Sequence, residues 1–147
     1  MMTGILLLSF LLTGCGSPEP QTGKKVSMYY INTAETKVEV HEQYLNTKTL
    51  DEQLDETMRY LSTTPEKLEY KAPLDMGFRV LNYEVEDGKL LINVDKAYSE
   101  LSPTTEVLVR AAIVRTLTQL PNVKYVGITV EDSQLYDNAG ELVGWMN

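Results

Sequence analysis

The chain is poor in the residue types that most often carry chemistry. Its 147 residues include one cysteine, one histidine, one tryptophan and two phenylalanines. A lone histidine, His41, and a lone cysteine, Cys15, supply neither a multi-histidine metal site nor a disulfide. Gly-rich phosphate loops, nucleophile elbows and calcium loops are absent from the sequence as well. We therefore predict no metal, no cofactor and no catalytic residues.

Long hydrophobic runs are also missing. The longest one, at 5–12, covers about eight residues, whereas a transmembrane helix needs roughly twenty. Such a run is too short for a lasting membrane span, and it is typical of the apolar part of a cleaved signal peptide.

The residues that follow this run resemble a lipobox. Leu12-Thr13-Gly14-Cys15 is similar to the signal of bacterial lipoproteins, in which the cysteine is acylated and the preceding peptide is removed. The resemblance implies a signal peptide at 1–14 and a lipid anchor, with chains such as palmitate, at Cys15. Two or three acyl chains are enough for stable anchoring. We expect a location at the extracytoplasmic face of the bacterial cell membrane.

The segment 15–25 consists of Cys15 and a predicted tether that leads to the first predicted strand. It is rich in proline, glycine and polar residues and has no apolar periodicity. A flexible chain of that length has a mean reach of about 18 Å. The folded part is therefore expected close to the membrane surface.

Residues 26–147 have the length of one ordinary domain, and the predicted fold class is α+β. The formal net charge is -8, and every charged residue follows Cys15. Such an acidic domain is unsuited to nucleic acid, because it would repel the phosphates.

The first half of the domain predicts two strands and a helix. Val26 to Ile31 is rich in β-formers, and a second strand follows near Val38. Thr49 and Glu52 have the spacing of a capping box. The helix after Thr49 carries an apolar stripe and ends near Ser62. The stripe consists of Leu50, Leu54, Met58 and Leu61. On its outer side we expect an ion pair between Asp55 and Arg59, one turn apart.

The second half predicts a hairpin, a helix and a strand. The strands 78–85 and 90–94 are joined by Asp87-Gly88, a strong hairpin signal. Ser102 and Pro103 begin a second helix that runs to about Gln119. A strand at 123–131 follows, and then a small hairpin around 138–140. The order ββαββαβ predicts a two-layer sandwich, a mixed or antiparallel sheet with two helices on one face.

Several of these segments resemble the GerMN domain, which is named for sporulation and spore germination proteins of Firmicutes. The most specific is Thr116-Leu117-Thr118-Gln119, within a stretch running from Val107 to Val130. The segments 26–31, 72–80 and 91–95 agree with the family pattern, so that the resemblance covers nearly all of 26–144. It implies a non-enzymatic, membrane-tethered extracytoplasmic module, with protein partners in a sporulation, germination or envelope complex. The alternative is a small-ligand or peptidoglycan-binding envelope protein, or a weak hydrolase of the envelope.

The second helix has an apolar stripe opposite its core-facing side. An amphipathic surface helix is normally polar there. One interpretation is that the C-terminal segment around Leu135, Leu142 and Trp145 covers the stripe; the other is a partner-binding face. The candidate partner-binding residues are Val107, Arg110, Ala111, Val114 and Thr118. The nine tyrosines, such as Tyr29 and Tyr83, are a second candidate for partner contacts.

Three further polar residues, Glu39, His41 and Asp95, have more than one interpretation. Glu39 and His41 share one face of a strand and could help to bind a metal, but exposed polar neighbours are usually only solvated. Asp95 ends a strand, where an aspartate more often caps the following turn than acts as a catalytic acid. We favour the solvated and capping roles.

Overall fold

The structure is a computed structural model that describes residues 23–66 and 69–147. The predicted signal peptide, Cys15 and most of the predicted tether lie outside these residues. The first strand begins at Lys24, two residues before the predicted start of the domain. In the part of the chain that the structure describes, no helix is long and apolar enough to cross a membrane.

The described residues form seven strands, two α-helices and one short 3₁₀-helix, so the predicted α+β class is confirmed. The strands are β1 (Lys24–Asn32), β2 (Val38–Leu45), β3 (Tyr70–Lys71), β4 (Val80–Glu86), β5 (Lys89–Val94), β6 (Tyr125–Val130) and β7 (Ser133–Gln134). The helices are α1 (Leu50–Leu61) and α2 (Pro103–Leu117), and the 3₁₀-helix is Lys96–Glu100.

The strands divide between two sheets, where the sequence predicted one. The first sheet is antiparallel with the order β2-β1-β3, and the second is mixed with the order β4-β5-β6-β7. In the second sheet β5 and β6 are parallel, which requires a crossover, and α2 lies in that crossover. Helix α2 contacts both β1 and β6, so one helix packs against both sheets.

The predicted turn between β4 and β5 is confirmed. Asp87 has φ 51° and Gly88 has φ 77°, the left-handed conformation that a two-residue hairpin of this kind needs at both positions. Lys124 N–H donates to Gly88 O at 2.7 Å, so the same turn also fixes the start of β6. The Asp87-Gly88 turn therefore sets the register of β4 and β5 and the position of β6 beside them.

Both predicted helix starts are confirmed. Thr49 and Glu52 form a reciprocal capping box at α1. At α2 the side chain of Ser102 accepts from Thr105 N–H, and Pro103 occupies the first turn. Helix α2 ends at Leu117, two residues before the predicted Gln119.

The core is one cluster drawn from both sheets and both helices. From α1 it takes Leu54, Met58 and Leu61, whereas Leu50 is exposed, contrary to its place in the predicted stripe. The expected ion pair between Asp55 and Arg59 is wrong. Asp55 Oδ1 accepts instead from Tyr83 Oη at 2.8 Å. A hydrogen bond to β4, which is distant in the sequence, thus replaces the local contact.

Candidate interaction surface

One side of α2 borders a groove of about 300 Å³. The core-facing side of the same helix is fixed by Val109, Ile113 and Leu117, which are buried against the two sheets. The opposite side therefore has to face outward. The groove is lined by Val107, Arg110, Ala111, Val114, Arg115, Met146 and Asn147.

Four of the five predicted partner-binding residues come together in this groove: Val107, Arg110, Ala111 and Val114. Val107 is 53% exposed, whereas Val114 is only 7% exposed and was expected to be open. Val114 belongs to the core cluster, so it forms part of the groove floor while Val107 stands at the surface. The helix therefore presents a shallow apolar depression, with less open apolar area than its stripe predicted.

The fifth residue, Thr118, does not line the groove. Its hydroxyl donates to Val114 O at 2.8 Å, one turn back along the chain. This bond satisfies the hydroxyl within the end of the helix itself. Thr118 is half-buried and lies beyond the open part of the surface.

An ionised network supports the groove from below. Arg110 Nε lies 2.6 Å from Glu106 Oε1, and Tyr98 Oη donates to the same oxygen at 2.8 Å. Burial, together with the nearby Glu106 carboxylate, raises the pKa of Tyr98, so its phenol stays protonated as a donor. Because Glu106 holds Arg110 in place, the aliphatic part of that arginine can line the groove.

A second arginine lies at the other margin of the groove. The Arg115 guanidinium carbon lies 5.8 Å from the centroid of the Tyr29 ring, an arrangement that suits a cation–π contact. Arg115 is exposed, and it forms no ion pair with any residue of 23–66 or 69–147. Two arginines thus border an apolar floor on a chain whose net charge is strongly negative.

Met146 and Asn147 line the groove because the C-terminal segment pairs with β6. Val126 N–H donates to Met146 O at 2.8 Å, and Met146 N–H donates to Val126 O at 2.9 Å. This pairing was not predictable from the sequence, since the segment lacks a run of β-formers. A long-range backbone contact therefore completes the surface.

Trp145 and Leu142 do not cover α2, so the first interpretation of its apolar stripe is wrong for them. They line a cavity of about 240 Å³ together with Leu91 and Gly127. Leu91 alternates with the core residues Leu90 and Ile92, so this cavity lies on the outer face of the second sheet. Trp145 and Met146 are adjacent in the sequence, but Trp145 lies on the outer face of the second sheet, whereas Met146 lines the groove beside α2.

The candidate residues Asp95, Glu39 and His41 have a capping role, an ion pair and an exposed position, respectively. Asp95 accepts from Ala97 N–H at 3.2 Å and caps the 3₁₀-helix, which confirms its capping role. Glu39 forms an ion pair with Lys37 at 2.6 Å, and His41 is exposed on β2. Among the residues described, no group of three or more His, Cys, Asp or Glu side chains is placed to hold a metal ion.

The tyrosines fall into several environments. Tyr30 is buried, with its ring stacked on that of Tyr70 at 6.1 Å between centroids. Tyr83 is half-buried. Its pKa is raised to about 12, mainly by burial and to a lesser extent by the hydrogen bond to Asp55. Tyr29 and Tyr125 retain open area. The tyrosines therefore do not form one surface.

Three solved structures are similar to this chain. The first GerMN domain of the sporulation protein GerM from Bacillus subtilis has a TM-score of 0.62 at 15% identity, over 82% of this chain and 94% of that one. The tandem GerMN domains of the same protein have a TM-score of 0.59 at 18% identity, over 92% of this chain and 49% of theirs. A putative lipoprotein from Clostridium perfringens has a TM-score of 0.50 at 17% identity, over 82% of this chain and 87% of that one.

These likenesses show a common fold. No curated protein matches the chain. The family model for Germane, described as sporulation and spore germination, matches residues 27–136, which is well over half of the 147 residues. The match spans both sheets and both helices. The chain therefore belongs to the Germane family of sporulation and spore germination domains.

Proposed function

We propose that this protein is a non-enzymatic, membrane-tethered extracytoplasmic lipoprotein. Its Germane domain contributes protein contacts to a sporulation, germination or envelope complex. Family membership supports the setting. The short apolar run and the lipobox-like sequence ending at Cys15 support the lipid anchor.

The observation that carries the proposal is the groove on α2. Val107 stands exposed at its margin and Val114 is buried in its floor. Its charged side chains are two arginines, Arg110 and Arg115, and Asn147 adds one amide. A small-ligand site usually encloses its ligand among several converging polar groups. A shallow apolar depression with a cationic border suits a protein surface better.

The experiment that tests the contact compares two substitutions on the same helix. Val107→Glu places a charge on the groove margin, and the matched control Thr104→Glu places the same charge at an exposed position outside the lining. We expect crosslinking and pull-down from native membranes to lose its partners with Val107→Glu and to keep them with Thr104→Glu. Equal recovery by the two variants would contradict the groove.

The anchor is tested separately with Cys15→Ser. We expect this variant to lose acylation, measured by mass spectrometry, and to leave the membrane fraction. A variant that stays membrane-bound without acylation would contradict a lipid anchor at this cysteine. Because Cys15 is remote in sequence from the groove, loss of anchoring and loss of partner contact are distinguishable.

A further inference from the structure

The outer face of the second sheet carries the only tryptophan of the chain, Trp145, in an exposed and well-supported position. Its side chain is 46% exposed. The backbone beside it is held by the paired hydrogen bonds between Val126 and Met146. Leu142, which lines the same cavity, is 53% exposed, so the indole belongs to a contiguous exposed apolar patch, and such a patch usually marks an interaction site.

Gly127 makes room for this indole. A Cβ atom at position 127 would lie 2.8 Å from Cζ3 and 2.9 Å from Cε3 of Trp145. The ring thus rests directly on the backbone of β6, against a residue without a side chain. The position of the indole is therefore built into the sheet and does not depend on a flexible contact.

Cavities adjoin the indole on two sides, and both are lined by Trp145 and Leu91. One, of about 240 Å³, is largely apolar and includes Leu142 and Val143. The other, of about 370 Å³, is bordered by Glu84, Glu86, Asp87 and Lys89. We name this combined area the Trp145 surface. It joins an apolar compartment to a charged one across a single aromatic ring.

The charged compartment has an excess of carboxylates. Glu84 and Glu86 pair across the strands with Leu91 and Lys89, which places them on the outer face. Lys89 Nζ lies 5.5 Å from the centroid of the indole. None of these three charged residues forms an ion pair within 23–66 or 69–147. Unpaired carboxylates beside an open indole favour a cation.

We propose that the Trp145 surface binds a basic segment of a partner polypeptide, in which Lys or Arg side chains flank an apolar residue. The apolar residue occupies the compartment of Leu142 and Val143. The cations face Glu84 and Glu86. An uncharged glycan would gain nothing from the excess negative charge, so charge complementarity favours the basic segment. This surface lies on the opposite side of the sheet from the α2 groove and goes beyond the function proposed for that groove.

The test uses tryptophan fluorescence, because the single tryptophan reports on this surface alone. The full-length protein is titrated with an acetylated hexapeptide of alternating lysine and leucine, and with the same peptide carrying glutamate in place of lysine. We expect the lysine peptide to shift the Trp145 emission and the glutamate peptide to leave it unchanged. An emission that neither peptide changes would overturn the proposal.

Charge variants separate this site from general attraction to an acidic protein. Glu84→Gln with Glu86→Gln is expected to weaken lysine-peptide binding about threefold to tenfold, as two exposed charge pairs would. The control Asp51→Asn with Glu100→Gln removes the same charge at exposed positions elsewhere, and a change of less than about twofold is expected. Equal weakening by both pairs would show that binding is non-specific and would overturn the proposal.

A last set of measurements identifies the class of ligand. With a labelled peptide, Trp145→Ala is expected to weaken binding about tenfold or more, and Trp145→Phe less, with circular dichroism showing that both variants fold. Val107→Glu should leave the binding unchanged, which distinguishes this surface from the α2 groove. A shift of Trp145 emission caused by N-acetylglucosamine oligomers and not by the peptide, or by self-association of the chain, would overturn the proposal.

Discussion

Gln119 and Ser27 exchange two hydrogen bonds, as residues of neighbouring strands do. Ser27 N–H donates to Gln119 Oε1 at 2.9 Å, and Gln119 Nε2 donates to Ser27 O at 2.7 Å. One turn earlier, Thr116 Oγ1 accepts from Tyr29 N–H at 3.0 Å. On this side of β1, the strand β3 pairs only with the C-terminal end of β1. Side chains from the end of α2 therefore satisfy the backbone hydrogen-bonding groups along another part of the β1 edge. Within the segment Thr116-Leu117-Thr118-Gln119, the first and last residues therefore hold the end of α2 against β1.

The edge contact leads to a prediction for Gln119→Ala. The substitution removes both hydrogen bonds with Ser27, and we expect the free energy of unfolding to fall by about 1–2 kcal/mol. Urea unfolding followed by circular dichroism measures the change. The control is Gln134→Ala, whose side chain lies exposed on β7 and is expected to matter by less than about 0.5 kcal/mol. Equal effects of the two substitutions would refute the role of Gln119.

A second prediction concerns Glu56, a buried carboxylate of α1. It accepts from Asn46 N–H at 2.9 Å, Thr47 N–H at 3.0 Å and the Thr47 hydroxyl at 2.6 Å. Burial acts to raise the pKa of Glu56, but these hydrogen bonds outweigh it, and the net pKa is lowered. At neutral pH, Glu56→Gln is expected to destabilise the fold by about 1–3 kcal/mol, because the amide replaces an acceptor with a donor.

The lowered pKa of Glu56 fixes the sign of a pH effect. A carboxyl group with a depressed folded pKa stabilises the protein above its unfolded pKa, near 4.5, and loses this contribution as the pH falls through the folded pKa. The stability difference between the wild type and Glu56→Gln should therefore shrink on acidification below about pH 4.5. Glu100→Gln, at an exposed position, is the control. A difference that stays constant with pH would contradict the assignment.

The sequence predicts well those features whose causes are local. The capping box of Thr49 and Glu52, the Asp87-Gly88 turn and the Ser102 cap each depend on residues within a few positions of one another. Their chemistry permits few other backbone conformations. Asp95 was predictable for the same reason, since its cap reaches only to Ala97.

The features that the sequence could not predict depend on distant contacts. Gln119 meets Ser27 across 92 positions, and Asp55 meets Tyr83 across 28. The division into two sheets follows from which strands find each other, and no local pattern encodes that choice. For the groove, periodicity predicted four of the lining residues of α2, but it placed Thr118 there wrongly, and it could not reveal that Met146 borders the groove or that Trp145 lies on the other face of the sheet.

A third prediction follows from the contact between Gly127 and Trp145. Gly127→Ala would press a Cβ atom against a rigid indole, so we expect a loss of about 1–3 kcal/mol and a shift of the tryptophan emission. Gly144→Ala is the control, because a Cβ atom there would meet nothing within 4 Å. The double variant Gly127→Ala with Trp145→Ala should recover part of the loss relative to the sum of the single changes. Strict additivity would show that the two residues do not interact.

The final prediction concerns the ion pair beneath the α2 groove. Both side chains are largely buried, with exposures of 20% for Arg110 and 11% for Glu106. Arg110→Met removes the cation and leaves the Glu106 carboxylate with Tyr98 as its remaining partner, at an expected cost of about 3 kcal/mol. Adding Glu106→Gln removes the uncompensated charge while keeping an acceptor for the Tyr98 hydroxyl. The double variant should therefore be more stable than Arg110→Met alone in urea unfolding, because the cost arises from an unpaired buried charge. If the second substitution lowers the stability further, the carboxylate is solvated without Arg110, and the ion pair does not support the groove.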